Sequence, residues 1–365
     1  MNKKIRAIGA GILAILWLGL CAFAWFSPAK ERSDSERRQL TQLPKLTAQT
    51  LLDGSFMEKF SDYAVDQFPL RDSFRTLKAL FQQKALLQSD NNGYFLHDGY
   101  LVKQTYPLSD ASVTHAVKVI NNLYDTYLSQ TNCKTYLSVV PDKGYYVTGH
   151  PTMDYAALTE RLSKELPWAE NVDISETLEL SDYYRTDTHW RQEQLVETAA
   201  KLCQAMGAEG PKEQDFTKAQ VSDRFYGVYY GHAALPVGAE EMHRLESELL
   251  NGCVLTDLTT GKKLPLYDES KLAGPDMYEM YLSGNQPLLR LENPKAETDR
   301  ELVIFRDSFG SAIAPLLMRG YRSITLVDVR YVNPRMIGDF VSFDNQDVLF
   351  LYSTLVLNES ATLRK

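Results

Sequence analysis

The stretch Leu302-Val303-Ile304-Phe305-Arg306-Asp307-Ser308-Phe309-Gly310 decides the fold of this 365-residue chain. Its leading apolar residues predict a buried strand, and the apolar segment from Ser311 to Met318 predicts a helix directly behind it. A serine at this point suits a nucleophile, because a rigid strand end presents it and the amides of the helix N-terminus can hold an oxyanion. The alternative is that Ser308 or Asp307 only caps the helix.

Strand and helix patterns alternate on both sides of this stretch. They predict helices at 110–130 and Pro334–Phe340. They predict strands at Lys134–Val140, Ser323–Val327 and Val348–Tyr352. Parallel strands need crossover helices, so this order predicts a three-layer α/β domain with a mostly parallel sheet and helices on both of its faces. Short alternating runs at about 215–291 predict an inserted β-rich segment.

A second stretch, Tyr183 to Trp190, supplies an acid and a base two residues apart. His189 is the best general base for a serine, and Asp187 would hold the ring nitrogen that faces away from Ser308. In a regular strand these two residues would be spaced apart along the axis, so we expect a tight loop. An Asp-x-His pair is common by chance. Only together with Ser308 does it predict a catalytic triad.

Composition excludes several classes of protein. The net charge of -8 offers no basic surface for nucleic acid, and the hydrophobic content of 44% is ordinary for a globular chain. Four cysteines without a CxxC pair do not predict a disulfide framework. Six histidines without an HExxH motif do not predict a zinc enzyme. We therefore expect no metal and no cofactor.

The N-terminus has the pattern of a membrane anchor. Three basic residues precede an uncharged apolar run from about Ile8 to Phe26, which is long enough to cross roughly 30 Å of hydrocarbon as a helix. Their charge predicts that the body of the protein lies outside the cytoplasm. A signal peptide cleaved near Ala22 to Ala24 would instead give a secreted protein, but the run is long for that. The expected division is an anchor over 1–26, a juxtamembrane spacer over 27–46 and a catalytic domain over 47–365.

Several motifs, taken together, resemble one known family. They are Tyr183–Trp190, Asp307-Ser308-Phe309-Gly310, Glu36-Arg37-Arg38-Gln39-Leu40, the hairpin at Tyr94–Leu101, Val140–Lys143 and Asp328-Val329-Arg330-Tyr331. They resemble the DHHW family, which is similar to the alginate O-acetylation proteins, with Thr188 at the second position of the name motif as in the alginate version. The resemblance covers most of the chain after the anchor. It implies a permuted SGNH-hydrolase-like (flavodoxin-like) domain with Asp187, His189 and Ser308 as acid, base and nucleophile.

The function that this resemblance implies is O-acetyl transfer outside the cytoplasm. Ser308 would take an acetyl group supplied across the membrane and pass it to a hydroxyl of an exported or cell-wall polysaccharide. The implied partner is a multi-spanning membrane-bound O-acyltransferase. Tyr230, Tyr331, Arg330 and Lys143 would suit the sugar, although loop packing, salt bridges or solvated charges are the ordinary roles of such residues.

Two further functions fit the same residues. A carbohydrate acetylesterase would use the same triad with water in place of the sugar hydroxyl. A non-catalytic, envelope-anchored glycan-binding or scaffold protein would leave Ser308 inert. The sequence does not identify all donors of the oxyanion hole: the amide of Ser308 is one expected donor, and Gly227, Gly231 or the side chain of Tyr230 are candidates for a second.

Overall fold

The computed structural model of the chain describes residues 3–33 and 35–365. Within these residues the chain forms two compact units. The first contains the chain up to Asn91 together with Gly231–Pro236, and the second contains Asn92–Tyr230 and Val237–Lys365. Residues 47–91, which were expected to belong to the catalytic domain, therefore fall in the first unit.

The first unit begins with the apolar helix expected from the sequence. This helix, α1, spans Lys3–Phe26. Its segment Lys4–Phe26 has a mean hydropathy of 2.3, and none of its residues is buried. At 1.5 Å per residue the segment is about 35 Å long, so by length and composition it fits a single-pass anchor or a signal sequence. The other elements of the unit are β1 (Arg32–Ser33), β2 (Arg38–Gln39), α2 (Ala48–Leu52), α3 (Ser55–Asp66) and α4 (Arg71–Lys84).

Two segments of the first unit meet in a cluster of ion pairs. Arg38 donates to both carboxylate oxygens of Asp66, at 2.9 and 2.5 Å, and thereby holds the pKa of Asp66 well below its usual range. Glu36 accepts a hydrogen bond from Arg71 and lies 3.3 Å from Arg75. The motif at 36–40, inside the expected spacer, is therefore bound to the start of α4.

The second unit contains the remaining strands and helices. They are β3 (Tyr94–His97), β4 (Tyr100–Lys103), α5 (Asp110–Tyr127), β5 (Lys134–Val140), α6 (Tyr155–Glu165), β6 (Glu170–Asn171), α7 (Val196–Ala205), β7 (Thr217–Phe225), α8 (Val228–Ala233), β8 (Glu240–Glu246), α9 (Glu248–Asn251), β9 (Val254–Asp257), β10 (Lys262–Leu264), β11 (Leu288–Glu292), β12 (Glu301–Arg306), α10 (Gly310–Leu317), β13 (Ser323–Val327), β14 (Asp347–Ser353) and α11 (Thr354–Asn358). The last residues of α8 belong to the first unit by contact. The helix expected at Pro334–Phe340 is a 3₁₀ helix, Pro334–Asp339.

The central sheet of the second unit is mostly parallel, as expected. Among the described residues its eight strands lie in the order β10-β9-β11-β13-β12-β14-β5-β6. The strands from β13 to β6 pair in parallel, with Ile304 of β12 opposite Leu326 and Leu349. Strands β9, β10 and β11 extend the sheet in antiparallel pairs. The expected insert at 215–291 is thus divided: β7 and β8 pair with each other, whereas its last strands join the main sheet.

Helices cover both faces of this sheet. On β12, Leu302 and Ile304 pack into the core under α7 and α10, while Val303 and Phe305 pack into the core under α5 and α6. Because both faces are buried, the strand is a continuous apolar run and does not alternate with polar residues. The three-layer α/β architecture predicted from the sequence is confirmed.

The carboxyl ends of the parallel strands meet at one edge of the sheet. Strand β5 ends at Val140, β12 at Arg306, β13 at Val327 and β14 at Ser353. In sheets of this kind ligands bind beyond the carboxyl ends of the strands. Ser308 therefore lies where the fold family places its sites.

Candidate active site

Ser308 lies in a tight turn between β12 and α10. The N-cap of α10 is Phe309, and no side chain caps this helix. Oδ1 of Asp307 accepts from the amide of Phe309 at 3.0 Å, and Oδ2 accepts from the amide and hydroxyl of Ser353 at 2.8 and 2.7 Å. The amide of Gly310 closes the turn on the carbonyl of Asp307, at 3.1 Å. The turn is thus fixed to the end of the adjacent parallel strand, and it leaves Ser308 half-buried.

Asp187 and His189 meet because the chain around them forms a narrow loop. Tyr183 and Trp190 pair as an antiparallel bridge, and the amide of Tyr184 donates to the carbonyl of His189 at 3.0 Å. The amide of His189 also donates to Oδ1 of Asp187 at 3.0 Å. This geometry lets an acid at position i reach the imidazole at i+2, which an extended strand would not allow.

The structure brings the three predicted triad residues into one hydrogen-bonded chain. Nε2 of His189 lies 2.7 Å from Oγ of Ser308, and Nδ1 of His189 lies 2.6 Å from Oδ1 of Asp187. Asp187 and His189 are buried, at 1% and 8% exposure, while Ser308 keeps access to solvent. The sequence had separated the serine from the other two residues by more than a hundred positions. Their catalytic role stays a prediction.

The chain at Gly227 packs directly against Asp187. Oδ2 of Asp187 accepts from the amide of Val228 at 2.8 Å, so the chain passes close beside the carboxylate. A Cβ on Gly227 would lie 2.1 Å from the Cβ of Asp187 and 2.3 Å from its Cα. Only glycine fits there. The amide of Gly227 donates to Oγ1 of Thr186 at 2.9 Å, and it is therefore engaged and does not serve as an oxyanion donor.

A buried carboxylate, Glu240, anchors the same loop. It accepts from the amide of Arg185 at 2.8 Å, from the amide of Thr186 at 2.9 Å and from the hydroxyl of Thr186 at 2.7 Å. Sequence reasoning missed Glu240, because a glutamate on the strand β8 carries no local mark of such a role.

Lys143, expected to contact substrate, is buried instead. Its side chain lies under the loop, where Nζ donates to the carbonyl of Tyr184 at 3.0 Å and lies 3.4 Å from that of Arg185. Burial lowers the pKa of Lys143 to about 7, although the carboxylates of Asp187 and Glu240 act in the opposite direction. This placement argues for a role in positioning the loop and against contact with a sugar.

The other expected substrate residues differ in how free they are. Arg330 is committed to buried Asp328 through two hydrogen bonds, Nε to Oδ1 at 2.9 Å and a terminal nitrogen to Oδ2 at 2.6 Å. Tyr331 is 45% exposed and lies against the Arg330 guanidinium, 5.3 Å from ring centre to Cζ. The ring of Tyr230 is half-buried and packs on Tyr226, with centroids 4.5 Å apart. Tyr331 and Tyr230 keep accessible surface, whereas the guanidinium of Arg330 is taken.

Tyr278 is a further residue that sequence reasoning missed. Its ring lies flat on the imidazole of His189, with centroids 3.8 Å apart and planes at 5°. The ring is buried, and among the described residues its hydroxyl has no hydrogen-bond partner. Burial holds the pKa of Tyr278 well above its usual range, so the ring is neutral. It fixes the plane of the candidate base.

The remaining oxyanion candidates can be sorted by their amides. The structure gives the amide of Ser308 no acceptor within the described residues, so it is free to bind an oxyanion. The side chain of Tyr230 and Gly231 stay candidates for the second donor. In the described part of the chain, no group of three or more His, Cys, Asp and Glu residues could hold a metal ion.

Comparisons with known proteins were made for the sequence and for the fold. No protein-family model matches the chain, and no curated protein matches it. A solved DHHW family protein from Eubacterium siraeum DSM 15702 matches 73% of this chain and 93% of its own, with a TM-score of 0.60 and 19% identity. In fold, the chain resembles the DHHW family. The resemblance proposed from the motifs is confirmed at the level of the fold, as is the α/β class with a mostly parallel sheet.

A second solved protein, PatB1, also has a similar fold. Bacillus cereus PatB1 matches 72% of this chain and 96% of its own, with a TM-score of 0.58 and 19% identity. A second structure of PatB1 contains a sulfonyl adduct and matches with a TM-score of 0.59. The O-acetyltransferase domain of Pseudomonas putida AlgJ matches 73% of this chain and 92% of its own, with a TM-score of 0.43 and 13% identity. The AlgJ match is too distant to support an inference.

Proposed function

We propose that the chain is an O-acetyltransferase that moves an acetyl group through Ser308 onto a hydroxyl of an exported or cell-wall polysaccharide. The observation that carries this proposal is the hydrogen-bonded chain from Asp187 through His189 to the half-exposed Ser308. The motif resemblance to the DHHW family and the alginate O-acetylation proteins supplies the class of reaction. An unbroken acid–base–nucleophile chain is recognised by its geometry and roles.

The first half of the reaction would load the serine. His189 takes the proton of the Ser308 hydroxyl as Oγ attacks the carbonyl carbon of the acetyl donor. The carbonyl oxygen becomes an oxyanion, which the free amide of Ser308 is placed to bind. As the bond to the donor breaks, His189 returns its proton to the leaving group. Asp187 stabilises the imidazolium at each of these points.

The second half would unload it onto the sugar. His189 takes the proton of an acceptor hydroxyl, the hydroxyl oxygen attacks the acetyl carbonyl, and the proton then returns to Oγ of Ser308. Exclusion of water by the bound acceptor makes the protein a transferase and not an esterase. Tyr230 and Tyr331, which keep accessible surface, are the proposed sugar contacts.

The proposal also assigns a place and a partner. Helix α1 would hold the catalytic unit outside the cytoplasmic membrane. A multi-spanning membrane-bound O-acyltransferase would supply the acetyl group, as the motif resemblance implies.

The test is to trap the acyl-enzyme on the full-length chain. Wild type, Ser308→Ala and His189→Ala would be incubated with p-nitrophenyl acetate, quenched early and mapped by peptide mass spectrometry. We expect acetyl on Ser308 in wild type, none at that position in Ser308→Ala, and loading slowed by about 10²–10⁴-fold in His189→Ala. Ser342→Ala, at an exposed serine, is the matched control and should load as wild type does.

Two further measurements complete the test. Phenylmethylsulfonyl fluoride should modify Ser308 and block loading, since a sulfonyl group reacts with the same activated oxygen. Addition of acetyl-accepting oligosaccharides should increase release of the acetyl group onto sugar over release into water. Release into water alone would identify an esterase. Folded protein without any adduct at Ser308 would refute the triad and favour a scaffold.

A further inference from the structure

Helix α4 of the first unit carries an uncovered apolar stripe. Leu70 at its N-cap and Phe74, Leu77 and Phe81 within it follow the i, i+4, i+7, i+11 spacing of one helix face. These four side chains are between 42% and 63% exposed. In a soluble protein such a stripe normally packs against the core, whereas in α4 it is exposed. An exposed apolar face of this kind marks a site of interaction with a partner or a membrane.

The opposite side of α4 is already satisfied. Ala79 is fully buried, and Arg71 and Arg75 form ion pairs with Glu36. The side of α4 that packs on the protein is therefore the one that contains Ala79, and the apolar stripe is a separate, exposed face. Lys78 and Lys84 flank the stripe and are exposed. An apolar face edged by lysines is the pattern of a helix that lies in the interface of a membrane.

The start of α4 is tied to the end of α1. The backbone of Lys30 exchanges two hydrogen bonds with the side chain of Gln67, both at 2.8 Å, and Gln67 is four residues before Arg71. Helix α1 ends at Phe26. Four residues of extended chain span at most about 14 Å, so Lys30 lies within that distance of the end of the membrane-crossing segment, and Gln67 is hydrogen-bonded to Lys30. The first residue of the stripe, Leu70, follows Gln67 by three positions in the chain.

We propose that α4 lies on the bilayer surface, with Leu70, Phe74, Leu77 and Phe81 inserted among the lipids next to the exit of α1. The occupant of the stripe is lipid, because the stripe lies next to the end of a segment that is apolar, has no buried residue and therefore suits hydrocarbon. This surface holds the first unit against the membrane. It is independent of the acyl chemistry proposed for Ser308, and it requires that α1 remains attached as an anchor.

The experiment places a photoreactive group on the full-length chain in nanodiscs of phosphatidylethanolamine and phosphatidylglycerol. Phe81→p-benzoylphenylalanine carries the probe on the stripe. Asp72→p-benzoylphenylalanine is the matched control, because nine residues at 100° each put position 72 on the opposite face of the same helix. Asp72 is exposed and makes surface contacts, with Ser35 at 3.3 Å and with Arg75 at 3.7 Å, so neither probe replaces a core residue. After irradiation, mass spectrometry of the α4 peptide identifies what each probe has bound.

We expect phospholipid adducts at position 81 with a yield about tenfold above that at position 72, since an interfacial helix inserts one face only. A variant with Phe74→Gln, Leu77→Gln and Phe81→Gln keeps helix propensity and should raise amide hydrogen exchange over 71–84 about tenfold in the same nanodiscs. Equal lipid yields at 72 and 81 would overturn the proposal. So would adducts to a membrane protein without lipid when the probe is used in cells, or loss of α1 from the mature chain.

Discussion

The two halves of the candidate site are held in place by different means. The turn that carries Ser308 is an extension of the parallel sheet, fixed by backbone hydrogen bonds and by Asp307, which joins it to the end of β14. The loop that carries Asp187 and His189 is held from outside. Lys143, Glu240 and Gly227 reach it from three other segments of the chain.

This difference predicts how each half responds to damage. The turn is held by two backbone hydrogen bonds, from Gly310 to Asp307 and from Ser311 to Ser308, and by three that the carboxylate of Asp307 accepts. The loss of one hydroxyl that donates to Asp307 should therefore be tolerated. A loop held by a few buried polar groups should move when one of them is removed, because a displacement of about 1 Å at a catalytic group can cost about 10²-fold in rate. We therefore expect loss of a supporting side chain to displace His189 more than Ser308.

Gly227→Ala should have the largest effect. The new methyl group would overlap Asp187, so the loop must shift and carry His189 away from Ser308. We expect kcat/KM for p-nitrophenyl acetate to fall by about 100-fold and the free energy of unfolding in urea to fall by about 1–3 kcal/mol. Gly238→Ala, where a Cβ meets nothing within 4 Å, is the control and should be neutral. Full activity in Gly227→Ala would show that the loop is not fixed from this side.

Glu240→Gln tests the second support of the loop. The change removes a buried charge and one acceptor from three hydrogen bonds to Arg185 and Thr186. The unfolding free energy should fall by about 1–3 kcal/mol and kcat/KM by about tenfold. Glu241→Gln changes the exposed neighbour on the same strand and should leave both quantities unchanged. Equal effects of the two variants would contradict the assignment.

Lys143 gives the loop a dependence on pH. Burial lowers the pKa of Lys143 to about 7, while an unfolded lysine has an ordinary pKa of about 10.4. Between those values the unfolded chain binds a proton that the folded chain does not, so this group's contribution to the unfolding free energy rises as pH rises. Below about pH 7 both states are protonated and the contribution is constant.

Lys143→Met should remove that rise. The difference in unfolding free energy between wild type and Lys143→Met, from urea titrations, is expected to increase from about pH 7 to about pH 10. Lys134→Met, at an exposed lysine on the same strand β5, should show a constant difference over this range. A flat profile for Lys143→Met would mean that the buried amine does not change protonation there.

The smallest effect should come from the turn. Ser353→Ala and Thr186→Val each remove one hydroxyl that donates to a buried carboxylate, at 2.7 Å in both cases. In Ser353→Ala the backbone amide still holds Asp307, but helix α11 loses its cap, because Oγ of Ser353 also accepts from the amide of Val356 at 3.3 Å. We expect the free energy of unfolding to fall by about 1–2 kcal/mol and kcat/KM by less than about threefold. In Thr186→Val the loop also loses the acceptor for the amide of Gly227. A larger loss of activity in Ser353→Ala than in Thr186→Val would show that the turn, and not the loop, is the more sensitive half of the site.

Sequence patterns reached the parts of the site that local structure determines. The strand, turn and helix around Ser308 are contiguous, and the alternation of elements placed them in a parallel sheet. Asp187 and His189 were found because they lie two residues apart and because their setting resembles a family motif.

The supports of the loop could not be predicted in the same way. Glu240, Gly227 and Tyr278 act through tertiary contacts with residues 40 to 90 positions away, and none has a local signal that separates it from other residues of its type. The sequence suggests Lys143 as a sugar contact because its charge would suit an acidic sugar. Its burial depends on the carbonyl groups of Tyr184 and Arg185, whose positions only the folded loop defines.

The flat contact between Tyr278 and His189 has a consequence for charge. In each half of the proposed reaction the imidazole becomes a cation while it holds the proton of a hydroxyl. The face of an aromatic ring carries negative potential and attracts a cation that lies over it, by about 0.5–2 kcal/mol depending on desolvation. Tyr278 therefore gives the protonated base a second counterpart beside the carboxylate of Asp187, and it does so without competing for the proton.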